Sequence, residues 1–525
     1  MTNRVGLTNN YSILAIVAFF GFLGFMIQPT AFTWGEQDMM PFLERFFNPE
    51  FLAEDFFTNS TVIKNPRWVY GYFLVTIVKF SGISWYKVLY VLKLCFQIIA
   101  PILYYKVIVV IAGKFIEPDK LRRMLLFILP CLVLMVFLKE YRYYFSVGSW
   151  SSYNPYLHAY NISIVFGFLA IFLKEKQYRP IAYIPLFILS CFFHPAMGLY
   201  TMAFYIVFLL PDFKKHLKEI QIIFFTGIIS VFMVKFLFAG ETVLSTKEFI
   251  DIYVKERHPW HYSVPDFNNL KGDWRVIFTW MNILFLAPIL IGIYKKNKNV
   301  WLVSLVAWIF YVMAIFCQYV FIDVLPVKLF AYLGVSRFTT FGYWMLLIIW
   351  SITISLFINE KKQSTYPSLG KRNFTFIIFT LVFVGIIFID DPIEERRRRQ
   401  WSFYEFVKST DNNSVFTTYS AKMNTDIRLV GLRAVFIGDE FPFSEEDILE
   451  YGDRRRLMYG SYQNGDYGSK YYRKLKPKDF VKIAGKYKLD YIVIEKKYSS
   501  QFGNSKPVWE NHKNQIYKLS SLKQP

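Results

Sequence analysis

Ile181–Leu210 reads IAYIPLFILSCFFHPAMGLYTMAFYIVFLL, 30 residues without one Asp, Glu, Lys or Arg. As one straight helix it would extend about 45 Å, well beyond the roughly 30 Å hydrocarbon core of a bilayer. His194-Pro195 interrupts it, and a proline, lacking a backbone donor, favours the first turn of a new helix. The run therefore predicts two short helices joined at His-Pro. Outward from it lie further apolar runs: Tyr11–Ile27, Trp68–Ala112 (broken by Ser81, Lys87 and Lys93), Leu125–Leu138, His158–Leu173, Ile222–Phe238, Val276–Ile293, Val300–Tyr319, Phe338–Phe357 and Phe374–Ile389. Composition agrees: 54% hydrophobic against 19% charged, with 56 Phe, 37 Tyr and 13 Trp and a mean hydropathy of +0.29. A water-soluble chain of 525 residues has too little polar surface to cover so much apolar material. The reading is an α-helical polytopic membrane protein of 11 to 13 spans. The four cysteines (Cys95, Cys131, Cys191, Cys317) lie in or beside these runs without metal-ligand spacing, so neither a disulfide framework nor a zinc site is indicated.

The net charge is +21, of which +15 falls in Met1–Ile389. There it concentrates in the short loops Lys114–Arg123, Lys174–Arg179, Lys214–Lys218, Lys295–Lys298 and Lys361–Arg372. Short basic loops face the cytoplasm and meet anionic lipid. No nucleic-acid recognition module accompanies the charge, so nucleic acid is not an expected partner. Counting spans between these loops puts Gln28–Arg67, Lys139–Leu157, Gly240–Arg275, the Asp323–Arg337 region and the C-terminal tail on the exported face. Arg396–Arg399 runs against this scheme, but five basic loops outweigh one mixed cluster. Tyr11–Ile27 follows Arg4 without a small-residue cleavage site and reads as an uncleaved first span.

From Trp401 the texture changes, and residues 390–525 read as a small soluble α/β domain following a membrane domain of residues 1–389. Helices are predicted at Trp401–Lys408, Glu445–Tyr451 and Pro477–Ala484, and strands at Val415–Thr418, Ala434–Ile437 and Tyr491–Ile494. No phosphate loop, dinucleotide fingerprint or nucleophile elbow is present, and Gly-Asp-Tyr-Gly at 465–468 reads as a turn.

The exported segments hold the candidate chemistry. Glu36 and Asp38 alternate within Trp34-Gly35-Glu36-Gln37-Asp38, so an extended chain turns both carboxylates to one face, suited to taking a proton or holding a divalent ion. Glu54-Asp55 is a second acidic pair; a solvated loop is the alternative for both pairs and explains Glu54-Asp55 better than Glu36 and Asp38. His194, among apolar neighbours, needs a hydrogen-bond partner, either as a packed helix-tip side chain or as a group facing an exported cavity. Arg257, His258 and His261, with Trp260 and Tyr262 between and beside them, suit an anion better than a metal, because no third ligand of the type stands near. Arg337 opens a span, placed either to anchor lipid phosphate or to clamp a substrate phosphate.

In layout the chain resembles the GT-C superfamily, the multi-span glycosyltransferases that use polyprenyl-phosphate-linked sugars. The likeness rests on the first span, the acidic exported loop at Glu36-Gln37-Asp38, the many spans and the exported tail ending Leu489-Asp490-Tyr491-Ile492-Val493-Ile494. His194-Pro195 and Arg257-His258-Pro259-Trp260-His261 look like motifs of a bacterial branch of it. The resemblance implies an inverting transferase of the bacterial inner membrane, with Glu36 or Asp38 as catalytic base and His194 as a catalytic group. Glu54, Asp55, Arg257, His258, His261, Tyr262 and Arg337 would bind substrate. The implied partners are a polyprenyl-phosphate-linked sugar donor, a glycan or glycolipid acceptor and membrane lipids. Glu36-x-Asp38 departs from a paired-Asp pattern, which leaves metal dependence open; a divalent cation, if used, would sit on these two acids. A polymerase or ligase using a diphosphate-linked oligosaccharide, a lipid or polysaccharide transporter, and a non-enzymatic scaffold are the alternatives. A transporter would place charges at mid-span and show inverted repeats, which are not evident.

Overall fold

The computed structural model describes residues 10–27, 40–62, 68–137, 144–147, 157–238, 243–257, 259–267, 273–358, 370–387, 400–438, 442, 444–461 and 466–522. The protein is a polytopic α-helical membrane protein with a separate C-terminal α/β domain. Among the described residues, five helices are long and apolar enough to cross a membrane: Trp85–Ala112, Leu210–Leu237, Trp274–Tyr294, Lys298–Val324 and Lys328–Ser355. Shorter apolar helices include Tyr11–Met26, Pro180–Phe193 and Pro195–Val207.

Two compact units divide the chain. The first holds Met1–Pro29, Tyr86–Leu237 and Pro259–Ile389. At its centre, Gly342–Ser355 is apolar all round and buried on nearly every side, the condition of a helix enclosed by other helices. The Phe213–Phe238 helix is the opposite case, exposing Phe224, Phe225, Ile229, Phe232 and Phe236, a row suited to lipid tails. Where helices touch, small and hydroxyl side chains permit close approach. Ser163 and Ser190 exchange hydrogen bonds, each hydroxyl donating to the other's carbonyl at 2.8 and 2.7 Å, and Gly167 lies against Thr201.

The second unit joins Asp390–Pro525 to Thr30–Trp85 and Phe238–His258. Its sheet is built from β1 (Val415–Thr418), β2 (Ala434–Val435), β5 (Tyr491–Glu495), β6 (Trp509–Glu510) and β7 (Asn514–Lys518) in the order β2-β1-β5-β7-β6. β2, β1 and β5 are parallel, with Phe416 opposite Tyr491, and β7 and β6 are antiparallel. A separate ribbon pairs β3 (Gly460–Ser461) with β4 (Asp466–Tyr467), so part of the Gly-Asp-Tyr-Gly turn is a short strand. The predicted strands appear at their places, with the second shortened to Ala434–Val435. The helix Pro477–Ala484 matches residue for residue, while Glu445–Tyr451 continues to Tyr459.

The two non-tail stretches join this unit through polar groups. Thr58 (N and Oγ1), Arg428 Nη2 and the Val435 backbone nitrogen all donate to the fully buried Asp55 carboxylate, at 2.7 to 2.9 Å. Glu445 Oε2 accepts from the backbone nitrogens of Val243 and Leu244 at 2.8 and 2.6 Å, and Ser461 Oγ donates to Glu256 Oε1 at 2.7 Å. The change of sequence texture places a domain boundary at Ile389/Asp390. The structure adds residues 30–85 and 238–258 to the tail's side, because their buried acids find donors there.

Candidate functional site

The apolar run Ile181–Leu210 breaks where predicted. Pro180–Phe193 ends at His194, whose backbone is extended (φ −157°, ψ 103°), and Pro195–Val207 begins at once. The second helix returns so sharply that a Cβ on Gly198 would lie 2.6 Å from the backbone nitrogen of Cys191. His194 caps the new helix: the Met197 backbone N–H donates to its Nδ1 at 3.3 Å. That nitrogen holds a lone pair, so the ring proton of the neutral imidazole sits on Nε2.

Nε2 faces Arg337. The Nη1 of Arg337 is 3.5 Å away, its Nη2 donates to the Tyr262 hydroxyl, and its guanidinium lies 5.2 Å from the Tyr262 ring centre. Three segments distant in sequence meet here, all within the first unit. Their placement depends on backbone devices. Gly334 takes the left-handed conformation (φ 58°) between Lys328–Leu333 and the tight 3₁₀ turns of Val335–Phe341, and a Cβ there would meet Tyr262 at 2.7 Å. Gln318 ends the Lys298–Gln318 helix and ties the site together: its Nε2 donates to the Tyr262 carbonyl at 2.8 Å and its Oε1 accepts from Ser336 N at 3.1 Å. The helix continues as a π-helical turn, Tyr319–Val324, from which Asp323 accepts the Val264 backbone N–H at 2.9 Å. Tyr200 donates to the Leu333 carbonyl at 3.1 Å. Tyr262 is 1% exposed, whereas His194 and Arg337 are half-buried.

Of the residues singled out from sequence, His194, Tyr262 and Arg337 are brought together. His261 stands beside them through its carbonyl, which accepts from Ser336 Oγ at 3.4 Å. Arg257 belongs to the second unit, where its guanidinium lies 5.9 Å from the Tyr253 ring centre. Asp55 is the core of the buried brace described above, which accounts fully for its burial. Glu54 is an exposed side chain with Lys488 Nζ at 3.5 Å. Glu36, Asp38 and His258 lie outside the described residues. Among the described residues, no three His, Cys, Asp or Glu side chains gather to hold a metal ion. Gln318, Ser336, Gly334 and Asp323 escaped sequence reasoning because each is an ordinary residue type whose partner lies far along the chain. Gly334, just ahead of Arg337, is the one with a local cue. Compared with known proteins, the chain matches no family model and no curated protein.

Proposed function

We propose that this protein transfers a sugar from a polyprenyl-phosphate donor to a glycan acceptor at the exported face of a bacterial inner membrane, inverting the anomeric carbon. The observation that carries the reading is the meeting of Arg337, His194 and Tyr262. Two donors, the Arg337 Nη1 and the His194 Nε2–H, approach to 3.5 Å, and a phosphate oxygen seated against both would accept from each. In the reaction the acceptor hydroxyl forms a bond to the anomeric carbon while the carbon–oxygen bond to phosphate breaks. The bonding pair leaves on the phosphate, and the hydroxyl proton passes to a carboxylate, for which Glu36 and Asp38 are the candidates. Stabilising the departing charge is then the main demand on the protein, and a guanidinium fixed by a phenol and an aromatic face meets it without reorganising.

The test is binding of undecaprenyl phosphate to detergent-solubilised protein. Arg337→Ala is expected to weaken it at least about 10-fold, as loss of a charge-assisted contact does. Arg337→Lys should weaken it less, and His194→Ala should weaken it measurably. Unchanged affinity in both alanine variants would sink the phosphate site.

A further inference from the structure

In the second unit the chain passes from β1 to β2 on one side and later returns to place β5 on the other side of β1. The strand order therefore reverses between β1 and β5, which are parallel. In parallel sheets, right-handed crossovers of opposite direction put their helices on opposite faces, and such a reversal beyond the carboxyl ends of the strands is where ligands bind.

The side chains at that end are unusual. Two phenols sit at those ends: Tyr472 donates to the carbonyls of Thr417 and Val493, at 3.2 and 3.1 Å, bridging the two strands. Tyr459 donates to the Thr418 carbonyl at 3.0 Å and accepts from Asn424 Nδ2. Asn424 is 1% exposed, yet its Oδ1 has no hydrogen-bond partner among the described residues. At the strand ends stand an ion pair and two further rings. Arg473 Nε lies 2.7 Å from Glu495 Oε2, and its guanidinium is 5.9 Å from the Tyr419 ring centre and 5.2 Å from that of Tyr498. Burial and the Glu495 charge push the Tyr419 hydroxyl up to about 12 against the pull of Arg473, so it remains a neutral donor, bonded to Asn514 Oδ1 at 2.9 Å.

We propose that the carboxyl ends of β1 and β5 carry a saccharide-binding site, in which Arg473 and Glu495 hydrogen-bond sugar hydroxyls while the rings of Tyr419 and Tyr498 flank the sugar. A hydroxyl both donates and accepts, and neighbouring hydroxyls match a donor and an acceptor held side by side, as the Arg473–Glu495 pair presents them. The guanidinium keeps donors beyond the one turned to Glu495. Tyrosine rings supply flat apolar faces for the C–H side of a pyranose. The charges nearby nearly cancel, with Arg473, Lys496 and Lys497 set against Glu495 and Glu510, and the single positive charge left over favours hydroxyl or lone-carboxylate recognition over a polyanion. Identifying this sugar with the transfer acceptor rests on the function proposed above; the site itself does not.

The full chain, solubilised in detergent, is applied to a printed array of neutral and uronic-acid-containing oligosaccharides. Wild type is expected to bind a subset of them. Arg473→Ala and Tyr498→Ala should each reduce that signal about 10-fold, the loss expected for a charge-assisted or stacking contact. Tyr498 is half-buried on a short 3₁₀ helix, Lys496–Phe502, so an unchanged melting temperature in Tyr498→Ala separates binding from misfolding. No glycan bound by wild type, or undiminished binding by both variants, overturns the site. Binding without any transfer activity leaves the site standing and removes the proposed reaction; transfer without glycan binding does the reverse.

Discussion

Glu54 and Asp55 are neighbours in sequence with opposite physical situations, and the contrast is measurable. Asp55 is 0% exposed and Arg428 1%, so removing one charge strands the other in a desolvated setting. Asp55→Asn should destabilise the second unit by about 3–5 kcal/mol, as breaking a buried pair does. Glu54→Gln, altering an exposed pair, should stay within about 0.5 kcal/mol of wild type. Denaturant titration followed by tryptophan fluorescence compares them, and equal effects would remove the buried-brace account. Glu44 supplies a pH-dependent case. Burial raises its carboxyl above the ordinary value, against the lowering effect of the Trp85 indole N–H that donates to it. With the folded-state value raised, its favourable contribution is present below the ordinary carboxyl range and is lost as pH rises through the raised value. Glu44→Gln, which cannot ionise, should therefore gain in melting temperature over wild type as the pH rises from about 4, below the ordinary carboxyl value, to about 7; a constant gap over that range contradicts this.

At the scale of elements, single glycines decide how helices meet. Gly334 is left-handed and abuts Tyr262, so Gly334→Ala combines about 1–2 kcal/mol of backbone strain with a collision against the ring that holds Arg337. The expected outcome is a lower melting temperature together with weaker undecaprenyl phosphate binding. Loss of stability with unchanged binding would show that Tyr262 does not set the position of Arg337. Gly198 has an ordinary conformation but no room, and Gly198→Leu would prise apart the two helices that meet at His194. The helix Ala421–Leu429 illustrates a different limit. AKMNTDIRL shows no clear apolar face in sequence because its burial is shared between the apolar Met423, Ile427 and Leu429 and the polar Asn424, Asp426 and Arg428, whose partners lie elsewhere in the fold.

For the whole molecule, the second unit is assembled from three separated stretches, so its integrity depends on the tail. A chain ending at Ile389 leaves Asp55 without Arg428 and Glu256 without Ser461. Limited proteolysis of that truncation should open residues 40–62 and 243–257 while the full chain resists; equal resistance would mean that these stretches fold without the tail. Orientation has its own test. Cysteine at Ser409 should be labelled from outside intact cells and cysteine at Lys215 should not; the reverse pattern would overturn the exported face and the reaction proposed on it.

What the sequence determined unaided is what depends on local composition and period. A long uncharged apolar run must be helical to satisfy its backbone in lipid, a run too long for one span must turn back, as this one does at His194-Pro195 while Pro185 stays within its helix, and β-branched segments such as Tyr-Ile-Val-Ile (491–494) favour a sheet. Those features were legible at Ile181–Leu210 and in the tail. Only the tertiary structure decided which polar residues meet. Arg337 and Tyr262 are 75 positions apart, and Asp55 and Arg428 are separated by more than 370. No local periodicity encodes such pairings; they arise because a buried charge or donor must find its complement wherever the packed helices and strands bring one within reach.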